Sequence, residues 1–307
     1  MNWLIFVLIT VLFESFRIFL DNYLSDYYFK GRHSVSQKYF YGIAFVIFAL
    51  ILIPFAGIDF SVGLISTIMI FIIAGIINSF AGIPYYKVLE LDDSTNLGIF
   101  IQLSPVLYLI LGWLFLGETI SPTQLVAFFI ILSAPLLILF TTRKRSRKIK
   151  IKAIFYAFLY VLLAVISNLI FVKESSQDIT FAGAMAFLFL GKGLGNLLIM
   201  AARPKWRRRF RDVMQSSHKK VLRPLFGSLT LSLVKDFTYR AALILAPSVA
   251  LASATSDSSE PIFIFFMGVV LTIIWPNFGR EKLQRKSIIV HLIATVLVVI
   301  GIILIQI

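Results

Sequence analysis

The sequence predicts an all-α membrane protein: ten transmembrane helices arranged as two inverted five-helix repeats. Three observations carry that expectation. The 307 residues are 59% hydrophobic and only 14% charged, with a mean hydropathy of +0.92. That is more apolar surface than a soluble domain can use. Ten apolar segments follow one another with short polar links. The chain also reads as doubled, one half echoing the other.

The segments are residues 4–20, 39–55, 62–84, 97–116, 122–140, 154–172, 181–200, 225–245, 248–275 and 288–305. Most are about 20 residues, the length that crosses a hydrocarbon core of about 30 Å. Backbone groups in lipid must be satisfied within the segment, so these are helices. The strict short-strand alternation of a barrel is absent. The first segment lacks a basic leader and a small-residue cleavage site, so it reads as a membrane helix rather than a removable signal.

Segments four and five form a helical hairpin. The first run contains Pro105 and stops at Gly117-Glu118. The second restarts at Ser121-Pro122, an N-cap residue followed by a proline at the first helical position. Glu118 should then sit near the N-terminus of the following helix, where the dipole favours a carboxylate. Segment nine is less regular. Its strictly apolar part, 261–275, is short for a span, and SATSDSSE (253–260) precedes it. That stretch is either helix within the membrane or an external loop with two solvated acids.

The formal net charge of +14 is placed asymmetrically. Lys30, Arg32 and Lys38 lie between segments 1 and 2. Seven basic residues from Arg143 to Lys152 lie between 5 and 6, and nine from Arg203 to Arg223 between 7 and 8. Arg280, Lys282, Arg285 and Lys286 lie between 9 and 10. With ten helices all these links fall on one side, which the positive-inside rule makes cytoplasmic, leaving both termini outside. The bland reading of the basic runs is a solvated face beside anionic lipid rather than a nucleic-acid site. Residues 204–224 form the one link long enough for a surface helix, with Trp206 and Phe210 suited to the lipid interface.

The doubling pairs Ser94–Pro105 (STNLGIFIQLSP) with Ala250–Pro261 (ALASATSDSSEP), 156 residues apart (261 − 105). An apolar run and a Gly–Glu corner follow each proline. The organisation expected is a first repeat over 1–141, a basic connection over 142–152 and a second repeat over 153–307. Two five-helix halves have opposite orientations, and inverted repeats with a site at their interface are a transporter architecture.

A proline-bearing helix, then Leu116-Gly117-Glu118, then Gln124, all in a doubled ten-helix chain, resembles the EamA-type transporters of the drug/metabolite transporter superfamily. The layout matches over nearly the whole chain, but the motif is specific only around 105–124. The second copy departs, with Gly279-Arg280-Glu281 in place of Leu-Gly-Glu, and Ala127 stands where the family expects glycine. The resemblance implies an exporter or exchanger of amino acids, metabolites or drugs in the cell membrane.

Charges inside spans are costly and mark function by default. Glu14 and Arg17 are three apart, and Asp236 and Arg240 four apart, so each pair can neutralise itself on one helix face. Setting these pairs aside leaves Lys192 and Lys235 against Asp257 and Glu260, a set that would suit a zwitterion around one cavity. Asp257 and Glu260 are the candidates for proton coupling. Candidates for substrate contact are Glu14, Arg17, Asn78, Gln102, Asn168, Lys192, Lys235, Asp236, Tyr239 and Arg240. Interhelical hydrogen bonding is the bland reading of the uncharged ones, and snorkelling or a structural pair that of Lys192. Gly191 and Gly195 have the small-xxx-small spacing of close helix contact.

The absence of cysteine removes thiolate chemistry, and the three histidines lack metal-ligand spacing. There is no HExxH, GxSxG or P-loop pattern. No cofactor and no enzymatic activity are expected. The expected function is secondary transport of a small polar metabolite by alternating access, proton-coupled or by exchange, in the lipid bilayer and without a required oligomer. The alternatives are a channel, a membrane-embedded lipid-modifying enzyme or a lipid carrier.

Overall fold

The computed structural model describes residues 2–29, 34–56, 62–91, 102–142, 151–175, 179–274 and 285–306. Regular structure among them is helical throughout. The first helices are α1 (Asn2–Tyr27), α2 (Lys38–Leu52, between short 3₁₀ turns), α3 (Val62–Leu91), α4 (Ser104–Leu116) and α5 (Pro122–Thr142). The remainder are α6 (Ile151–Glu174), α7 (Phe181–Ala202), α8 (Pro204–Leu245), α9 (Val249–Ile274) and α10 (Arg285–Ile305).

Among the described residues, eight helices are long and apolar enough to cross a membrane, against the ten expected. The chain is an integral, multi-pass membrane protein. The two helices outside that set have physical reasons for it. Helix α4 has only 13 residues, and residues 97–101, which the segment read from sequence also included, lie outside the described residues. The apolar half of α8 carries Lys235, Asp236 and Arg240.

One expectation is corrected, and one alternative left open is decided. The link 204–224 does not separate from the next span: α8 is one helix of 42 residues running through Pro224. An interior proline costs about 3 kcal/mol, yet Val221 and Leu225 on either side of it are fully buried against Leu24 and Phe29. That packing holds the helix together. In α9, SATSDSSE is helix rather than loop, and Ser253, Thr255, Ser256, Ser258 and Ser259 within it are buried.

The chain packs as two compact units, and each draws on both sequence halves. One comprises Met1–Phe19, Asp92–Ile154 and Leu231–Ile307; the other comprises Leu20–Leu91 and Phe155–Thr230. In the first unit, α5, α9 and α10 share a core of Ala134, Ile138, Ile262, Val290, Ala294 and Val298. In the second unit, α7 packs on α2 and α3. There the backbones of α3 and α7 cross so closely that a Cβ at Gly191 would lie 2.1 Å from the carbonyl oxygen of Ile72. A Cβ at Gly75 would lie 2.2 Å from that of Leu188. Only glycine fits either position, and the small-residue spacing at Gly191 and Gly195 predicts the α7 side of this contact.

The α4–α5 hairpin closes as read from sequence. Gly117 adopts a left-handed φ of 67°, which ends α4. The Ser121 hydroxyl accepts from the Gln124 N–H at 3.2 Å, and the Gln124 side chain accepts from the Ser121 N–H at 3.1 Å. This reciprocal pair is a capping box.

Candidate functional site

Nine of the twelve residues singled out from sequence fall in the first unit: Glu14, Arg17, Gln102, Lys235, Asp236, Tyr239, Arg240, Asp257 and Glu260. Helices α1, α8 and α9 and the start of α4 carry them. At their centre, Glu14 of α1 accepts from Arg17 Nε at 2.7 Å and from its Nη2 at 2.5 Å. Lys235 of α8 approaches the same carboxylate from another helix, Nζ to Oε2 at 3.8 Å. Its ammonium also lies 6.0 Å from the centre of the Tyr239 ring. One turn from Lys235, Thr238 shares a 2.7 Å hydrogen bond with Thr10 of α1. This ties the two helices together beside the charges.

On α9, Asp257 and Glu260 lie three residues apart, which places them on one face. Asp257 Oδ2 accepts from Ser253 Oγ at 3.0 Å. Glu14 and Lys235 are within electrostatic reach of Asp257. Glu14, Arg17, Lys235 and Asp257 are within reach of Glu260. The cluster thus holds three carboxyl groups, Glu14, Asp257 and Glu260, against two cations, Arg17 and Lys235. Fully ionised, it carries one negative charge in excess. Burial makes such an excess costly and favours binding a cation or a proton.

Pro261 explains a further contact. It lies inside α9 and has no N–H. The carbonyl four residues back, that of Asp257, therefore loses its helical donor. Gln102 supplies another: its Nε2 donates to the Asp257 carbonyl at 3.3 Å. A polar side chain from a second element thus repairs the break that proline makes, as membrane helices require. Two groups beside this repair, Gln102 Oε1 and Ser258 Oγ, are buried without a protein hydrogen-bond partner. Tyr239 of α8 lies next to Tyr108 of α4 and Ser253 of α9. Hydroxyls from three helices thus adjoin the carboxylates.

Asp236 and Arg240 form the self-pair expected from their spacing, 3.3 Å apart with side chains 8% and 2% exposed. Arg240 Nη1 also donates to the Asp236 carbonyl at 3.4 Å. Being neutralised this way, the pair leaves the excess charge of the Glu14 cluster unchanged.

The remaining three candidates, Asn78, Asn168 and Lys192, belong to the second unit. Asn78 is half-buried and Asn168 buried. Lys192 is 7% exposed. Its ammonium lies 5.5 Å from the Phe45 ring and 5.8 Å from the Phe189 ring, within the range of cation–π attraction.

Lys38 is a residue that the sequence reading misplaced. Its position between two apolar segments read as a solvated loop charge. It is instead buried, donating to the Ser79 carbonyl at 3.1 Å and to Asn196 Oδ1 at 3.2 Å. Gly82 leaves the space: a Cβ there would lie 2.1 Å from the Lys38 ammonium. The available signal was Asn196, a lone amide within the apolar α7. Glu118 is also corrected. It caps α9 rather than α5, with both carboxylate oxygens 3.1 Å from the Val249 N–H. Partial burial raises the Glu118 carboxyl above its ordinary value, and the Val249 hydrogen bond lowers it in part.

A helical, multi-pass membrane protein with a charged cluster inside one packing unit is the class these features define. Residues 1–140 match the EamA-like transporter family. That stretch carries the Leu116-Gly117-Glu118 motif and both termini of the α4–α5 turn. A solved crystal structure matches over 96% of this chain and 95% of its own, with a TM-score of 0.52 at 12% identity. This likeness shows the fold alone. No curated protein matches the chain.

Proposed function

We propose that this protein is a secondary transporter of a small zwitterionic metabolite, amino-acid-like in its charges, working in the cell membrane by alternating access and coupled to protons. Ten spans as two inverted repeats belong to the same proposal. The match of residues 1–140 to the EamA-like transporter family supports transport. The observation that carries the finer reading is the cluster of Glu14, Asp257 and Glu260 around Arg17 and Lys235. Its single excess negative charge is matched by one proton or by one substrate ammonium, but not by both. Such mutually exclusive occupancy couples an amine to a proton.

In this reading Asp257 and Glu260 carry the exchangeable proton, since Glu14 is held by two cations. Lys235 receives the substrate carboxylate, and Arg17, Tyr239 and Gln102 border it. Asp236 and Arg240 hold the helix face behind them. Asn78, Asn168 and Lys192 are proposed as substrate contacts on their polarity inside apolar helices alone. The test is Asp257→Asn or Glu260→Gln in proteoliposomes. Uptake driven by a pH gradient should be lost while substrate exchange persists. If both variants keep full gradient-driven uptake, the coupling assignment is wrong.

A further inference from the structure

The N-terminal half of α8 plays no part in the cluster above. Its inward stripe consists of Trp206, Phe210, Val213 and Met214. Trp206 packs on Ile199 and Met200 at the end of α7, against which Tyr39 at the start of α2 and Ile83 of α3 also pack. Phe210 meets the Tyr39 ring edge-on, with centroids 5.4 Å apart. Further along, Val221 and Leu225 pack on Leu24 and Phe29 at the end of α1. This stretch therefore runs across the ends of apolar helices within its unit. Those ends mark the level at which hydrocarbon gives way to headgroups.

The rest of its circumference is basic. At about 100° per residue, Arg207 and Arg211 fall on one flank of the apolar stripe. Lys205 and Arg209 fall on the other, with Arg208 opposite the stripe. All five are exposed. Asp212 is the one acid between Pro204 and Gln215. Basic residues flanking an apolar stripe on both sides are the pattern of a helix lying in the headgroup layer. Arg203, 5.8 Å from the Trp206 ring, extends the pattern to the helix start.

We propose that this basic face is a docking surface for anionic phospholipid headgroups, built into the helix that continues into Lys235 of the charged cluster. The position at the helix ends selects lipid as the occupant, because a bilayer already adjoins this level. The charge selects anionic over zwitterionic headgroups.

Native mass spectrometry of the full chain in detergent tests this, by titration with phosphatidylglycerol or with phosphatidylcholine of the same acyl chains. Phosphatidylglycerol should bind at least tenfold more tightly, with the preference shrinking at high salt. The triple variant Arg207→Gln/Arg208→Gln/Arg211→Gln should reduce the preference at least tenfold, since each basic residue at a membrane surface is worth roughly fivefold in binding. It leaves the apolar stripe intact, and unchanged helicity by circular dichroism will confirm the fold. If the triple variant does unfold, Arg208→Gln alone, opposite the stripe, should still weaken phosphatidylglycerol. Equal binding of the two lipids, or an undiminished preference in the folded variants, would overturn the proposal. So would a soluble polyanion, tested as inositol hexakisphosphate, that binds the same arginines more tightly than the lipid does.

Discussion

Replacing Gln102 by leucine should destabilise the protein only because Pro261 is present. The Asp257 carbonyl has no helical donor, as residue 261 is proline. Gln102 Nε2, on a side chain 8% exposed, donates to that carbonyl at 3.3 Å. Removing the donor leaves a buried carbonyl unsatisfied, which costs about 1–3 kcal/mol. In a Pro261→Ala background the N–H of residue 261 can reach the same carbonyl, so the leucine substitution should cost about 1 kcal/mol or more less. Leucine also removes the unpartnered Gln102 Oε1, but that gain is common to both backgrounds and cancels in the cycle. The assay is reversible unfolding in mixed micelles, followed by far-ultraviolet circular dichroism, for the wild type, both single variants and the double variant. Non-additivity of about 1 kcal/mol or more supports the repair. Additivity within about 0.5 kcal/mol would refute it.

Lys235→Ala should weaken substrate binding roughly tenfold, the loss of one charge-assisted hydrogen bond. Its side chain is 28% exposed, so the folded fraction should be unchanged; calorimetry of binding beside a thermal melt separates the two effects. Glu118→Gln keeps an acceptor for the Val249 N–H but removes the titration. The folded Glu118 carboxyl is raised from 4.5, so its protonated form is the one the fold favours. Its contribution is therefore full below the ordinary value and is lost as pH rises through the raised one. Melting temperatures compared across that window should show the wild type losing ground to Glu118→Gln with rising pH. A constant difference would show that Glu118 does not titrate there.

Much of this was legible in the sequence because local chemistry decides it. Ser121, Gln124 and Gly117 specify a turn within a few residues. Glu14 with Arg17 and Asp236 with Arg240 pair because helical spacing brings them together. What was not legible depends on contacts between distant parts of the chain. Spacing alone could not show that Gln102 serves a carbonyl 155 residues away, or that Glu118 caps a helix 131 residues on. Lys38 read as a loop charge because burial of an ammonium needs acceptors, and those lie on α3 and α7. The helical state of SATSDSSE was undecided because serine and aspartate favour turns in water. Buried against other helices, the same stretch satisfies its backbone only as a helix.

Counterflow in proteoliposomes tests the central claim most directly. Vesicles holding the purified protein are preloaded with each member of a metabolite panel weighted toward amino-acid-like zwitterions, and a labelled trace of the same compound is added outside. The account predicts transient, saturable accumulation of at least one zwitterion. Absence of substrate-dependent flux across the whole panel would contradict it, as would flux that rises without saturation or recovery of a covalently altered compound.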